Sequence, residues 1–425
     1  MKETIRTAEE SYNYPELFKP VTIGKVEIKN RVVMSPTFIG ATEPGGYVGD
    51  RMIYFYAARA KGGTGLIITG PAMIEPTIIN ASHMIPLLYD APHMPGWSEL
   101  AEMVHAWDAK VFVQVDTGGT GRVGAIFGNP NALAPSPVPI HMDPGYVVQK
   151  KAQKLWEKRG LDLASHYGIG RNFPVPKEIK NEDIHRLEDQ IAHTVGMIKH
   201  CGFDGAELHF AHGIMGSNFL SPRTNIRTDE YGGNIENRTR YLRNCLQKAR
   251  EKTGPDFALG FRISADEHLP GGLTPGETAK ICKSVEHLAD FIDISTGTHH
   301  ESHAYMEPEE DGTIIEEAAI IKKQVSIPVI TSSVHNPASG NSAIKDGKTD
   351  MIALSRGLIA DPEWANKARE GKPYVKCIKC LFGCCSRIDC GLPVRCEVNP
   401  RVLLEYQMPE YYKHNAPKKK TYFVE

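Results

Sequence analysis

The sequence lacks any long hydrophobic run: no stretch approaches the ~20 consecutive apolar residues of a transmembrane helix, and the first twenty residues contain no apolar signal segment. It also lacks an excess of charge of one sign, since 49 lysines and arginines face 51 aspartates and glutamates, which argues against nucleic acid as a partner. Walker A, His-Glu-x-x-His and Gly-x-Ser-x-Gly motifs are absent. We therefore expect a cytoplasmic protein that binds neither membranes nor nucleic acid.

Between about residues 30 and 370, short apolar runs alternate with longer amphipathic stretches, which is the pattern of parallel β/α units. The predicted strands are Arg31–Ser35, Gly65–Thr69, Val111–Val115, Gly205–Phe210, Ala258–Ser264, Phe291–Ser295, Pro328–Ser332 and Met351–Ser355. The predicted helices are Met52–Lys61, Ser98–Lys110, Glu182–His200, Asn237–Lys252, Pro275–Leu288, Ile315–Val325, Pro337–Lys345 and Pro362–Glu370. Eight such pairs predict an α/β protein with a TIM (β/α)8 barrel over residues 1–372, with a doubly wound sheet as the alternative.

Two segments interrupt or follow this pattern. Residues 116–176 form a long, polar excursion after the third predicted strand, and an excursion of that length is typical of a substrate-shaping loop or lid. Residues 373–425 are rich in cysteine and too short for another α/β domain. We expect this extension to fold against the barrel around a metal centre, because it cannot bury enough apolar surface alone.

Six of the nine cysteines fall between positions 377 and 396, and four of them have the spacing C-x2-C-x3-C-x11-C. These four are Cys377, Cys380, Cys384 and Cys396. In a reducing compartment such a segment favours a metal site over disulfides, and soft thiolates suit an iron-sulfur cluster or zinc. Zinc and unligated thiols are the alternatives, and Cys385 competes with Cys384 for the third position.

Polar residues gather where the predicted strands end, and in a barrel these positions converge on one face. His209 and His212 close the fourth strand, and both could donate hydrogen bonds to a carbonyl oxygen. One packed and one exposed histidine, or two metal ligands, would give the same sequence pattern. Arg262 in the fifth strand needs an electron-rich ligand or a carboxylate from a neighbouring strand. Ser333 and Arg356 follow strands seven and eight, where this fold often binds phosphate, although ordinary turns would also explain them.

Several longer motifs jointly resemble the flavin-dependent old yellow enzymes, in the branch of 2,4-dienoyl-CoA reductase, 2-enoate reductase and trimethylamine dehydrogenase. The resemblance spans about residues 15–425. Besides the four-cysteine segment, its landmarks are Leu17-Phe-Lys-Pro20, Lys29-Asn-Arg-Val-Val-Met-Ser-Pro36, Gly202-Phe-Asp-Gly-Ala-Glu-Leu-His209, Asn218-Phe-Leu-Ser-Pro222, Arg227-Thr-Asp-Glu-Tyr-Gly-Gly233, Glu236-Asn-Arg238 and Leu358-Ile-Ala-Asp-Pro362.

The resemblance implies that FMN binds non-covalently at the barrel mouth, because Phe38 stands where trimethylamine dehydrogenase attaches its flavin through a cysteine. It implies a flavin-binding set of Ser35, Pro36, Thr37 and Gly70 along the flavin, Gln114 and Arg262 at its pyrimidine edge, and Ser333 and Arg356 at its phosphate. A cation at that edge stabilises the reduced flavin. The four cysteines would carry a 4Fe-4S cluster.

The chain also departs from the family pattern. The tyrosine that usually follows the His-Gly of strand four, and protonates the substrate, is replaced by Ile214. His300, after the sixth strand, is the predicted proton donor, with Tyr167 of the excursion as the alternative. Longer relatives continue beyond the position of Glu425 into FAD- and NAD(P)H-binding domains. The expected electron donor is therefore NAD(P)H acting directly or a separate electron-transfer protein.

Together these features predict an ene-reductase that reduces the C=C bond of an α,β-unsaturated carbonyl compound, such as an enoate, enoyl-CoA, steroid enone or flavonoid. Hydride would come from flavin N5, with the cluster relaying electrons and His209 and His212 polarising the carbonyl. The alternatives are an amine dehydrogenase or demethylase and a non-catalytic electron-transfer subunit. A homo-oligomer is left open.

Overall fold

The computed structural model describes residues 13–76, 84–118, 121–126, 129–141, 150–162, 172–299, 301–302 and 311–407. Its centre is a closed barrel of eight parallel strands, each paired with its neighbours along the chain. The strands are β1 (Val32–Met34), β2 (Leu66–Ala72), β3 (Lys110–Val115), β4 (Gly205–Phe210), β5 (Ala258–Ser264), β6 (Phe291–Ser295), β7 (Val329–Thr331) and β8 (Met351–Leu354). The predicted TIM barrel is confirmed, because the first and last strands pair and leave no open sheet edge.

A helix follows each strand on the outside of the barrel. These helices are α1 (Asp50–Lys61), α2 (Met94–His105), α3 (Asn181–His200), α4 (Ile235–Thr253), α5 (Pro275–Val285), α6 (Ile315–Lys322), α7 (Pro337–Lys345) and α8 (Trp364–Glu370). Three begin at a side chain that accepts a hydrogen bond from the first turn: Asn234 caps α4, Thr274 caps α5 and Asn336 caps α7.

The predicted end of the second helix at residue 110 is wrong. Helix α2 stops at His105, and the chain reverses at Asp108, whose φ of 53° lies in the left-handed region. Lys110 then belongs to β3, where it pairs with Leu66. The polar turn ends the helix early. Because the apolar pattern of the helix continues into the apolar strand, the sequence does not show where the helix ends.

The barrel interior has an apolar lower half. The side chains that fill it come from the amino-terminal halves of the strands and from a hairpin, Val21–Ile23 paired with Val26–Ile28, that packs on the same cluster. Gly260 makes room there, because a methyl group at that position would lie 2.5 Å from the ring of Phe291. This packing leaves the opposite, carboxyl-terminal end of the strands for polar side chains.

The cysteine-rich extension packs directly on the barrel. Val394, Val402 and Leu403 belong to the main hydrophobic core, and Glu405 forms a 2.7 Å ion pair with the buried Arg59 of α1. The long excursion contributes a helix, Lys150–Glu157, and a strand, Leu133–Ala134, that pairs with Lys177–Glu178. In the described part of the chain no helix is long and apolar enough to cross a membrane.

Candidate active site

Polar side chains fill the upper half of the barrel, at the carboxyl ends of the strands. Residues separated by two positions on a strand point to the same side, so Glu207 and His209 both leave β4 toward the interior. Arg262 of β5 lies opposite His209 on one neighbouring strand and opposite Asp293 of β6 on the other. Strand register therefore brings a cation, a carboxyl group and an imidazole to one level, with the second carboxyl group, that of Glu207, two positions lower on β4.

The Arg262 guanidinium is almost fully buried and is held from three neighbouring strand ends. Its Nη1 donates to Ser35 Oγ at 2.9 Å, and its Nη2 donates to Ser332 Oγ at 3.0 Å and Ser295 Oγ at 3.2 Å. Nη1 also lies 3.3 Å from Asp293 Oδ2. The ion pair that the sequence left open as an alternative is thus present. The Nε of Arg262 has no hydrogen-bond partner among the described residues, so this N–H group is still available to a ligand.

Gln114, the other residue expected at the pyrimidine edge, is also fixed from the barrel interior. Its Nε2 donates to Glu207 Oε1 at 2.7 Å, and both side chains are buried. Roles for Glu207, Asp293, Ser295 and Ser332 were not predicted from the sequence. The signal that could have found them is position, because all four are polar residues at inward-facing places in predicted strands, where a polar side chain needs a partner or a ligand.

His209 and His212 lie side by side at the mouth, with ring centroids 5.2 Å apart and ring planes at 71°. His212 adopts a left-handed φ of 67°, which turns the chain after β4, and its Nε2 lies 2.6 Å from Ser295 Oγ. Burial and the positive charge of Arg262 lower the pKa of His209 to about 3 and that of His212 well below its ordinary value. Both rings are therefore neutral hydrogen-bonding groups near pH 7.

The residues expected to line the flavin surround the ends of β1 and β2. Thr37 Oγ1 bonds the carbonyl oxygen of Ser35 at 2.8 Å and Ser355 Oγ at 2.7 Å, and Pro36 between them is partly exposed. Gly70 is required for close approach, because a Cβ there would lie 2.3 Å from the Thr37 carbonyl oxygen. A cradle that admits only glycine, beside a guanidinium with an unused donor, fits a flat, polar-edged group such as FMN.

The two residues assigned to the phosphate lie beyond β7 and β8. Ser333 has a left-handed φ of 61°, an uncommon conformation for a residue other than glycine, and its neighbour Ser332 makes the contact with Arg262. Arg356 begins a short helix, Arg356–Ala360, and lines the cavity that the cysteines surround. The structure therefore places Arg356 between the barrel mouth and the cysteine-rich extension.

The four predicted cysteine ligands line one small cavity, whereas Cys385 and Cys390 do not. Backbone N–H groups point at their sulfur atoms, including that of Lys379 at Cys377 Sγ, 3.4 Å away. Further N–H groups contact Cys380 and Cys396. Burial raises the pKa of Cys377, Cys380 and Cys396, and the N–H contacts oppose that shift by favouring the thiolate. Four sulfur donors around one cavity fit a thiolate-bound metal centre. No group of three or more His, Cys, Asp or Glu side chains among the described residues is arranged around a single metal ion.

A buried ion cluster that the sequence analysis missed connects the loops around the mouth. Glu301 accepts from Arg122 at 2.9 and 3.1 Å and from Arg223 at 2.9 and 3.4 Å. These residues follow β3, β4 and β6, so the cluster ties together three loops at the site. Ile214, at the usual tyrosine position, is buried at the start of the helix Met215–Leu220.

The predicted proton donor His300 and its alternative Tyr167 lie outside the described residues. Their positions relative to the two histidines are therefore not assigned, and both stay predictions.

Comparisons with known proteins agree with this geometry. Residues 16–374 match the NADH:flavin oxidoreductase / NADH oxidase family. An NADH oxidase of Thermoanaerobacter brockii is 36% identical over 396 residues, covering 91% of this chain and 56% of that protein. A cinnamate reductase of Clostridium sporogenes is 33% identical over 415 residues, covering 91% of this chain and 58% of that protein.

A solved complex of 2-naphthoyl-CoA reductase with 2-naphthoyl-CoA has the same fold, with a TM-score of 0.79 and 26% identity. The similarity covers 93% of this chain and 58% of that one. The chain thus spans a little over half the length of these three relatives.

Proposed function

Because the chain belongs to the NADH:flavin oxidoreductase / NADH oxidase family, we propose that it is an FMN-dependent ene-reductase acting on an α,β-unsaturated carbonyl compound. The membership confirms the family that the sequence motifs predicted. The observation that carries the proposal is the pair of neutral imidazoles, His209 and His212, beside the Arg262 guanidinium at the barrel mouth.

The residues at the mouth would hold FMN as follows. Ser35, Pro36, Thr37 and Gly70 would line the ring system, Gln114 and Arg262 would meet its pyrimidine edge, and Ser333 and Arg356 would meet its phosphate. When bound and reduced, FMN supplies a hydride from N5 to the β-carbon of the substrate. The chain's own task is to orient both molecules and to keep the guanidinium directed at the flavin edge, which the serine and aspartate contacts of Arg262 support.

The two histidines would bind the carbonyl oxygen of the substrate. A neutral imidazole donates one N–H bond, and two such donors stabilise the negative charge that develops on the oxygen as the alkene is reduced. Ser295 Oγ can accept from Arg262 and donate to His212 Nε2, which would leave the His212 proton on Nδ1. In this arrangement one serine connects the cation at the flavin edge to the substrate-binding histidine.

The α-carbon must then receive a proton from an acid other than the usual tyrosine, since Ile214 cannot supply one. We propose His300 for this role because it follows β6, the strand that carries Ser295. Substitution of His300 by Ala should slow incorporation of solvent hydrogen at the α-carbon, and an unchanged rate would transfer the role to Tyr167 or another residue of the excursion.

The four cysteines would carry a 4Fe-4S cluster that relays electrons toward the flavin site. The sulfur atoms of all four line one cavity, and four soft thiolates at this spacing suit an iron-sulfur cluster, with zinc as the alternative. The electron donor would be NAD(P)H or a separate reductase, with a small unsaturated molecule as the other partner.

The decisive experiment compares His209→Ala and His212→Ala with His193→Ala, an exposed histidine on α3. Cinnamate and 2-naphthoyl-CoA are added as carbonyl substrates to dithionite-reduced protein under anaerobic conditions. Methylated amines are added separately to the oxidised protein, where flavin reduction would report the amine dehydrogenase alternative. We expect each site variant to lose roughly 100-fold or more in the alkene reduction rate while retaining FMN, because one donor to a developing oxyanion contributes on that order.

Two outcomes would contradict the proposal. The first is alkene reduction by both His209→Ala and His212→Ala at the rate of His193→Ala. The second is oxidation of methylated amines without alkene reduction by the unaltered protein, which would support the alternative. Purified protein that fails to bind FMN would favour the non-catalytic electron-transfer subunit.

A further inference from the structure

Two fully buried carboxyl groups, Glu207 and Asp293, lie directly below the proposed flavin edge. Neither side chain is exposed at all, and they project from β4 and β6 on either side of Arg262. Each holds one residue of the upper layer with one oxygen: Glu207 Oε1 accepts from Gln114, and Asp293 Oδ1 accepts from Ser332 at 3.1 Å. We refer to Glu207 and Asp293 together as the carboxyl pair.

The other oxygen of each group has no conventional hydrogen-bond donor. Among the described residues, Glu207 Oε2 and Asp293 Oδ2 both lack a hydrogen-bond partner when both are taken as acceptors, although Arg262 lies 3.3 Å from Asp293 Oδ2. A buried acceptor without a donor is destabilising, because the hydrogen bonds that it makes with water are lost on burial and not replaced. The two carboxyl groups are close enough to hydrogen-bond each other, so one proton between them gives both oxygens a partner.

The charge balance leads to the same arrangement. One guanidinium faces two carboxyl groups in an interior that is closed below by apolar side chains. If both were ionised, one negative charge would lie buried without a counter-ion. Burial and the neighbouring Asp293 raise the pKa of Glu207 well above its ordinary value, although Arg262 opposes the shift. Burial also raises the pKa of Asp293, but Arg262, Ser332 and Glu207 oppose that shift, so we place the shared proton on Glu207.

We propose that Glu207 donates its Oε2–H to Asp293 Oδ2, and that the resulting carboxyl pair positions Gln114 and Arg262 and sets how strongly the site prefers reduced over oxidised FMN. The inference rests on the proposed function in its flavin part only. The pair is faced by Gln114 from β3, Arg262 from β5 and Ser332 after β7, and His209 lies two positions beyond Glu207 on β4. Of these side chains only Arg262 carries a charge near pH 7, since His209 is neutral there.

The two members therefore have different effects on the flavin. Asp293 carries the negative charge that offsets Arg262, and without it the guanidinium would attract more strongly the negative charge that reduction brings to the flavin edge. Glu207 is neutral and acts by hydrogen bonds alone. A glutamine at position 207 can accept from Gln114 and donate to Asp293, so it preserves both contacts.

The proton is tested on the protein without FMN by infrared spectroscopy. At pH 7 we expect the C=O stretching band of a protonated carboxylic acid that disappears in Glu207→Gln. Glu267→Gln is the matched control, because Glu267 is also buried and its pKa is raised by burial, yet it lies apart from the pair and bonds Ser221. Absence of a band that depends on Glu207 would overturn the shared proton.

The role toward the flavin is tested by the ratio of dissociation constants for oxidised and reduced FMN, obtained from the midpoint potential. Asp293→Asn should shift this ratio about 10-fold toward reduced FMN, a rise of roughly 30 mV for a two-electron couple. Glu207→Gln should change it by less than about twofold. An equal shift in both variants, or no shift in either, would overturn the division of roles.

The two measurements also separate this inference from the proposed function. Failure of the unaltered protein to bind FMN would refute the function and the flavin part of the inference, while the infrared band would still decide whether the proton is shared. If Asp293→Asn does not fold, the Glu207→Gln potential alone decides: a neutral Glu207 predicts little change, and an ionised one predicts a shift as large as that given for Asp293→Asn.

Discussion

Removal of the Glu301 carboxylate should destabilise the protein more than most single substitutions. Glu301 is 4% exposed and accepts two hydrogen bonds each from Arg122 and Arg223. Among the described residues, Arg122, at 1% exposure, would then keep its hydrogen bonds to the carbonyl oxygens of Val138 and Pro139. Glu301→Ala therefore removes the carboxylate that pairs directly with a buried guanidinium.

The magnitude follows from the burial of the pair. Breaking a buried ion pair by removing one partner costs about 3–5 kcal/mol, because the remaining charge is desolvated and unpaired. Replacing both partners with apolar residues, as in Arg122→Met with Glu301→Leu, should recover most of that loss.

The contribution of the Glu301 ion pair depends on pH. Burial alone would raise the pKa of Glu301, but Arg122 and Arg223 outweigh it and hold this pKa below its ordinary value. The pair's stabilisation is thus present above the pKa of an unfolded glutamate, near 4.3, and is lost as the pH falls through the lower folded value.

Urea unfolding at pH 7, followed by circular dichroism, measures these differences. Glu397→Ala is the control, because its ion pair with Arg159 is on the surface and should contribute less than about 1 kcal/mol. A loss below about 1 kcal/mol in Glu301→Ala, or a double variant no more stable than the single one, would refute the reasoning. Loss of substrate turnover with FMN affinity intact is expected from the loosened loops.

Three further predictions concern the site itself. Gly70→Ala should weaken FMN binding at least about 10-fold, because the added methyl group meets the Thr37 carbonyl oxygen. A fluorescence titration measures the dissociation constant, and an unchanged value would contradict the role of Gly70 in binding FMN. Trp156→Phe should destabilise the extension by about 1 kcal/mol, since it deletes the 3.1 Å bond from Nε1 to the Cys380 carbonyl; proteolysis of the extension reports this, and unaltered resistance would contradict it. With its pKa lowered to about 3 by burial and Arg262, His209 should add no acidic limb to the rate profile between pH 5 and 8, so a His209-dependent limb there would contradict its neutrality.

The barrel could be predicted from the sequence because each strand is a short apolar run with a polar end. The same pattern located the mouth, since His209, Gln114 and Arg262 terminate runs that a parallel barrel brings together. The hydrophobic pattern was less informative about where helices end. The helix predicted to continue to residue 110 stops at His105, because a left-handed turn at Asp108 is set by backbone geometry and not by hydrophobic periodicity.

Partners within the site depend on strand register, which a single sequence does not specify. Arg262 could be predicted to need a counter-ion or a ligand, but its pairing with Asp293 follows from the alignment of β5 with β6. The contact of Ser332 with Arg262 has the same origin, since inward and outward positions alternate along β7 and its continuation. The Glu301 cluster joins residues 78 and 179 positions apart, which only the folded chain brings together.

The most direct test of the account is an anaerobic absorbance spectrum of the purified protein, with FMN, iron and sulfide measured on the same sample and cinnamate added to the reduced form. The account predicts stoichiometric FMN that is released in Arg262→Leu, iron and sulfide that are lost in Cys377→Ser, and reoxidation of the reduced flavin by cinnamate. Purified protein without flavin, or reduced flavin that the unsaturated acids and thioesters leave unchanged, would contradict it.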